Sequence, residues 1–183
     1  MIVNKPLAHR IKALIAGVVV SAFFVPVVAE PMSGQGLSVR AGAGFHYQRY
    51  EAAWESASLW TYQFEGNSSR LDLLAEVGGA WWKASGSREP SDVWQISATP
   101  FIRWSVNDTY YIEAGVGANL FSRSLFADIN MGTKFQFGEH VGLGAYIGRN
   151  SRLGLRYSHY SNAGIKSPNP GLDVVQVLFS HQY

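Results

Sequence analysis

Beyond residue 30 the chain alternates between apolar and polar positions. From Ser91 to Trp104 one face reads Trp94, Ile96, Ala98, Pro100, Ile102 and Trp104, and the other Gln95, Ser97, Thr99, Phe101 and Arg103. From Tyr110 to Leu120 the set Tyr110, Ile112, Ala114, Val116, Ala118 and Leu120 interleaves with Tyr111, Glu113, Gly115, Gly117 and Asn119. From Val141 to Ile147 apolar residues alternate with Gly142, Gly144 and Tyr146. Successive side chains of a strand point to opposite faces, so a period of two with one apolar face predicts strands. The same reading along the chain predicts eight of them, over 36–48, 50–64, 70–83, 91–106, 109–121, 138–148, 152–161 and 173–183.

The other face decides the architecture. In a soluble sheet it meets water and carries bulky charged side chains. Here it is rich in glycine and isolated polar groups, which suits the inside of a narrow barrel. Short turns at 106–109 and 148–151 contrast with longer connections at 84–90, 122–137 and 162–172. Short turns on one rim and long loops on the other characterise outer-membrane barrels. Trp54, Trp60, Trp81, Trp94, Trp104 and Tyr110 fall near strand ends, as in aromatic girdles. The last strand carries Val175, Val177, Phe179, His181 and Tyr183 on one face. An apolar stripe ending in a C-terminal aromatic resembles the assembly signal of such barrels. The expected fold class is therefore all-β, an eight-stranded antiparallel transmembrane β-barrel of the outer membrane, with a soluble β-barrel as the competing reading.

Composition and charge change this picture at the N-terminus. Lys5, Arg10 and Lys12 precede an apolar run from Ala13 to Val28, which ends in Val27-Val28-Ala29. A basic start, a short apolar run and small residues at its end predict a secretory signal peptide over 1–29, cleaved after Ala29. The run is shorter than the roughly 18–20 residues a membrane-spanning helix needs. The barrel then occupies 30–183 as one domain. The full chain has 15 basic and 13 acidic residues. Three of the basic residues lie in the leader, leaving 12 against 13 and a net charge of −1. That balance gives no reason to expect nucleic acid as a partner. There is no cysteine, so an exported domain must rely on a core, a sheet or a membrane. No cluster has metal-ligand spacing.

Candidate chemistry sits on the last hairpin. The strand Arg152–Ser161 puts Leu153, Leu155, Tyr157, His159 and Ser161 on one side, and Gly154, Arg156, Ser158 and Tyr160 on the other. The leucines belong to lipid, so His159 and Ser161 share the lipid-facing side at the loop end. Two residues of one strand face have Cβ atoms roughly 6.5–7 Å apart, within reach of an imidazole and a serine hydroxyl. Asp173 opens the next strand with the parity of Val175, Val177 and Phe179. A serine is a weak nucleophile until a histidine takes its proton, and a carboxylate fixes the histidine tautomer. Polar groups facing lipid are costly unless function retains them. By parity Glu113 and Arg156 face the lumen as interior packing. Lys166 and Arg123 read as solvated loop charges, and Phe135 and Phe137 as girdle aromatics or the side of an acyl groove. His46 and His140 have no matching partners.

His159-Tyr160-Ser161-Asn162-Ala163-Gly164-Ile165-Lys166, followed by Pro168-Asn169 and Gly171-Leu172-Asp173, resembles the signature of PagL-type lipid A 3-O-deacylases. The stretches Ile112–Gly117 and Val141–Gly144 also resemble this outer-membrane family. The resemblance covers about 110–173. It implies an eight-stranded barrel that hydrolyses the ester at position 3 of lipid A, needs no metal or other cofactor, and works among outer-membrane lipids on lipopolysaccharide. It also implies Ser161 as nucleophile, His159 as general base, Asp173 where the family usually has glutamate, and Asn162 and Gly164 as the oxyanion hole. Members of such families can dimerise, so a homodimer is compatible with the sequence. Two readings of other classes stand beside it. A non-catalytic small barrel, an adhesin or structural protein, predicts that Ser161→Ala changes nothing. An outer-membrane acyltransferase usually carries an N-terminal amphipathic helix, for which residues 30–36 are too few.

Overall fold

The computed structural model describes residues 34–66 and 68–183. The expected leader, 1–29, lies outside the described residues. The strands are β1 (Gly36–Gly44), β2 (Tyr47–Glu55), β3 (Trp60–Gln63), β4 (Arg70–Ala84), β5 (Asp92–Val106), β6 (Tyr110–Phe121), β7 (Leu125–Phe126), β8 (Ile129–Asn130), β9 (Phe135–Ile147), β10 (Ser151–Ser161) and β11 (Leu172–Gln182). Eight long strands pair antiparallel in the cyclic order β1, β2, β4, β5, β6, β9, β10, β11, and β11 returns to β1 from Gly36↔Gln182 to Ala43↔Val175. Closure pairs the backbone of both would-be edges. That is the condition for a sheet to stand in hydrocarbon, where an unpaired N–H or C=O finds no water.

Alternation follows from that setting. In β10 and β11 every second residue is buried in the lumen, and Leu153, Leu155, Val175, Val177 and Phe179 are exposed on the outside. The exterior of β5 runs from Trp94 to Trp104, ten residues on. At ~3.4 Å per residue and a tilt of ~40°, that is roughly 25 Å of height, the thickness of the apolar band of such barrels.

Strand directions sort the connections. Residues 45–46, 85–91, 122–134 and 162–171 lie at one rim, and 56–66, 68–69, 107–109 and 148–150 at the rim near the C-terminus. The main differences from the sequence reading are at the first, second and sixth expected strands, the last of which starts at Phe135 and not at 138. The expected strand 50–64 is two pieces, because pairing between β2 and β4 stops at Glu55↔Glu76. The chain then runs as β3 along the start of β4, where the Ser58 and Thr61 hydroxyls donate to Asp72 Oδ1 at 2.9 and 2.7 Å. The connection between β1 and β2 is a two-residue turn with His46 at φ 71°.

The lumen is filled, in two layers. The middle is ionic. Arg103 donates to Glu55 Oε2 at 2.7 Å and to Glu113 Oε2 at 2.8 Å, while Arg156 reaches Glu113 Oε1 at 2.6 Å and Glu76 Oε1 at 3.0 Å. Arg152 joins Glu55, and Arg40 joins Glu76 and Glu51. Glu113 and Arg156 thus face inward, as parity predicts. Above this network, toward the long loops, Tyr47, Trp82, Phe121, Phe126, Met131, Tyr160, Leu172 and Val174 form an apolar plug. Tyr160, Leu172 and Val174 belong to the same two strands that carry His159 and Asp173, so the plug fixes from inside the wall whose outside holds the candidate site.

Candidate active site

His159, Ser161 and Asp173 lie on the outer face of the last hairpin at the long-loop rim. The register sets His159 directly opposite Asp173. Facing residues of an antiparallel pair have Cβ atoms about 4.5–5.5 Å apart, and the side chains close that gap. His159 Nδ1 lies 2.8 Å from Asp173 Oδ1. With the ionised carboxylate as acceptor, Nδ1 carries the hydrogen and Nε2 is left as the free base. The aspartate, one methylene shorter than glutamate, therefore reaches the imidazole.

Ser161 follows His159 by one pleat step, on the same face and half-buried. Its hydroxyl makes none of the described hydrogen bonds, and the described contacts of His159 do not include it. Catalytic hydrogen bonds commonly tighten only with substrate in place. On its other side Ser161 is paired with Phe137 of β9, whose ring packs edge-on to Phe135 with centroids 5.1 Å apart. Phe137 thus lies beside Ser161 on the lipid side, with Phe135 packed against it.

The loop 162–171 returns over the histidine. Gly171 has φ +74°, and a Cβ there would meet His159 Cε1 at 2.6 Å and Nε2 at 3.2 Å. Only a glycine gives both this backbone angle and this approach. A side chain there would press on the Cε1–Nε2 edge of the ring, which glycine leaves clear.

Asn162 is where sequence and structure part. Its side chain is fully buried. Nδ2 donates to Met131 O at 2.9 Å and to Lys166 O at 2.7 Å, Oδ1 accepts from Lys166 N at 3.4 Å, and its carbonyl accepts from Ile165 N. Both amide hydrogens expected at an oxyanion are committed to the loop. Its backbone N–H donates to Asn169 Oδ1 at 2.9 Å, which ties the Asn169 amide to the residue that follows Ser161. Gly164, at φ +77°, is exposed in the turn 162–165, with open space around its Cα. The neighbouring loop presses on the same structure. A Cβ on Gly132 would meet Pro168 O at 2.5 Å and Asn162 Nδ2 at 2.9 Å.

Two further polar groups lie on the site's face. Tyr157, two residues before His159, donates to Asp173 Oδ1 at 2.5 Å. Glu139, exposed on β9, is the cross-strand partner of His159 on the side away from Asp173. Parity could have found both, since each falls on the lipid-facing set of its strand. His140 instead turns into the lumen, where its Nδ1 lies 2.8 Å from Ser158 Oγ. Lys166 and Arg123 are exposed in the rim loops. Among the described residues no group of His, Asp or Glu could hold a metal ion.

Comparison with known proteins places this geometry in context. A family model described as lipid A 3-O-deacylase (PagL) matches residues 48–182. The chain is 52% identical over 155 residues to lipid A deacylase PagL of Bordetella bronchiseptica, covering 85% of this chain and 86% of that one. It is 28% identical to lipid A deacylase PagL of Pseudomonas aeruginosa, covering 80% of this chain and 87% of the relative. A crystal structure of the outer membrane enzyme PagL superposes with a TM-score of 0.73 at 24% identity, over 81% of this chain and 99% of that one.

Proposed function

The chain belongs to the lipid A 3-O-deacylase (PagL) family, and on that premise we propose that Ser161, His159 and Asp173 form a Ser-His-Asp triad working on the outer wall of the barrel. The protein is an outer-membrane ester hydrolase that acts on lipid A. The observation that carries the triad is the 2.8 Å contact between His159 Nδ1 and Asp173 Oδ1 on the exterior face, one pleat step from Ser161.

Lipid A of the outer leaflet docks against the last hairpin. Ser161 Oγ attacks the carbonyl carbon of the ester at position 3, and His159 Nε2 takes the hydroxyl proton. Asp173 holds the imidazole in the tautomer that leaves Nε2 free and supports the imidazolium. The C–O bond to the sugar breaks as His159 delivers its proton to the sugar oxygen. Water, deprotonated by His159, then attacks the acyl-enzyme and releases the 3-hydroxy fatty acid and the serine.

The developing oxyanion needs donors that are not already in use. The family resemblance implies Asn162 and Gly164 for it. Of these, the Gly164 N–H is available in the exposed turn. Asn162 contributes by holding the loop and by pinning Asn169 through Oδ1, which leaves Asn169 Nδ2 as an amide donor tied to the residue that follows Ser161. Outer-membrane lipids cover the exposed apolar belt, and the leader over 1–29, supported by its basic start and apolar run, accounts for export.

The test is mass spectrometry of lipid A from cells expressing wild type or Ser161→Ala. Wild type is expected to remove the 3-linked acyl chain and the variant to leave it in place. Equal deacylation by both would remove Ser161 from the mechanism.

A further inference from the structure

Tyr157 looks like a girdle residue: aromatic, exposed, and one pleat step from the leucines of β10. Its hydroxyl, however, is directed at the triad. Asp173 Oδ1 accepts two hydrogen bonds, from His159 Nδ1 at 2.8 Å and from Tyr157 Oη at 2.5 Å. We propose that Tyr157 is a positioning residue for the deacylase site, its hydroxyl fixing the Asp173 carboxylate in the orientation that faces His159. The proposal rests on the triad reading above and goes beyond it.

The need for such a residue follows from where Asp173 sits. Its side chain is 56% exposed, at the start of β11 and on the convex face of the wall. A carboxylate there has several rotamers open to it and water to satisfy them. His159 has an alternative acidic neighbour in Glu139, across on β9. Nothing in the backbone alone selects the pairing with Asp173. Tyr157 does: it stands on the same face, two residues before the histidine, and both donors on β10 converge on one oxygen of β11.

A second tyrosine holds the same residue from the other side of the wall. Tyr47, buried in the lumen, donates its hydroxyl to Asp173 O at 3.0 Å and accepts from Asp173 N at 2.9 Å. Pairing between β1 and β11 ends at Ala43↔Val175, so this hydroxyl replaces the missing strand partner. Asp173 is thereby held at its backbone from inside the barrel and at its carboxylate from outside. A tyrosine serving only as girdle would aim its hydroxyl at lipid headgroups, and phenylalanine would replace it at little cost to the site.

The experiment is a double-mutant cycle on purified enzyme in detergent with lipid A as substrate: wild type, Tyr157→Phe, Asp173→Ala and the double variant, with Ser161→Ala as control. Folding of each is checked by the shifted migration of the unboiled barrel on gels. Tyr157→Phe is expected to lower kcat on the order of tenfold, the loss of one charge-assisted hydrogen bond, with KM within twofold. In the Asp173→Ala background the same change should cost less than twofold, since the carboxylate it positions is gone. The rate at which a fluorophosphonate labels Ser161 should fall in parallel with kcat, a readout that needs no lipid contact. A kcat within twofold of wild type, a rise in KM alone, or an equal loss in both backgrounds would overturn the proposal. An active Ser161→Ala would sink the triad and the proposal with it, whereas an inactive Ser161→Ala beside an unimpaired Tyr157→Phe sinks only the positioning role.

Discussion

Replacing Asp173 by asparagine keeps the shape of the side chain and removes its charge, so the expected loss can be worked from the geometry. In the proposed acylation step an imidazolium forms at His159, whose Nδ1 lies 2.8 Å from the carboxylate oxygen. Charge centres in such a contact are roughly 4 Å apart, worth ~1 kcal/mol in bulk water and ~4 kcal/mol at an effective dielectric of ~20. The side chains of His159 and Asp173 are 32% and 56% exposed, which favours the lower figure in the free enzyme. A lipid laid over the face excludes water and moves the pair toward the higher. Taking the middle, about 2.5 kcal/mol corresponds to a loss of roughly 70-fold at 1.36 kcal/mol per decade. Asp173→Asn is therefore expected to lower kcat by about 50–100-fold while KM changes little, because the charge is used in the transition state more than in binding. Initial rates of fatty-acid release from lipid A in mixed micelles provide the measurement. A loss smaller than about threefold would refute the electrostatic argument and remove Asp173 from the triad.

Gly171→Ala should fold and fail. Its Cβ would lie 2.6 Å from His159 Cε1 on a backbone at φ +74°, so the imidazole must turn away from Ser161, and kcat should drop at least tenfold in a barrel that still migrates as folded. Glu113→Gln should do the reverse. Three arginines, Arg103, Arg152 and Arg156, converge on this carboxylate in the lumen, and leaving buried charge uncompensated costs about 3–5 kcal/mol. Urea unfolding in micelles should show that loss, with kcat of the folded enzyme near wild type.

The period of two made much of this legible. The leucines of β10 declare which face meets lipid, and the count from Leu155 puts His159 and Ser161 beside them without reference to any contact. Asp173 follows from the same count on β11. What escaped the sequence depends on partners far along the chain. The amide of Asn162 is spent on Met131, 31 residues earlier, in a loop whose small hairpin of β7 and β8 has no pattern long enough to read. The approach of Gly171 to the imidazole is a property of loop closure, and a glycine between proline and leucine gives no hint of it. Tyr157 was hidden for a different reason: its parity makes it a lipid-facing aromatic, a sufficient explanation until its hydroxyl is located. Glu139 shares the parity of Val141 and Leu143, yet its place opposite His159 depends on the register of β9 with β10, which no local pattern shows.

The proposed triad stands on a convex wall, with the barrel behind it and none of the described residues in front. Loops shield it from above, and Phe137 borders it on one side, but the remaining enclosure must be lipid. The membrane is then a component of the catalytic site as well as its solvent: neighbouring acyl chains form the opposite wall, set the local dielectric and press the substrate against the hairpin. Catalytic efficiency becomes a joint property of protein and leaflet. Stiffening, thinning or diluting the surrounding lipid should alter turnover in an enzyme whose own coordinates have not moved.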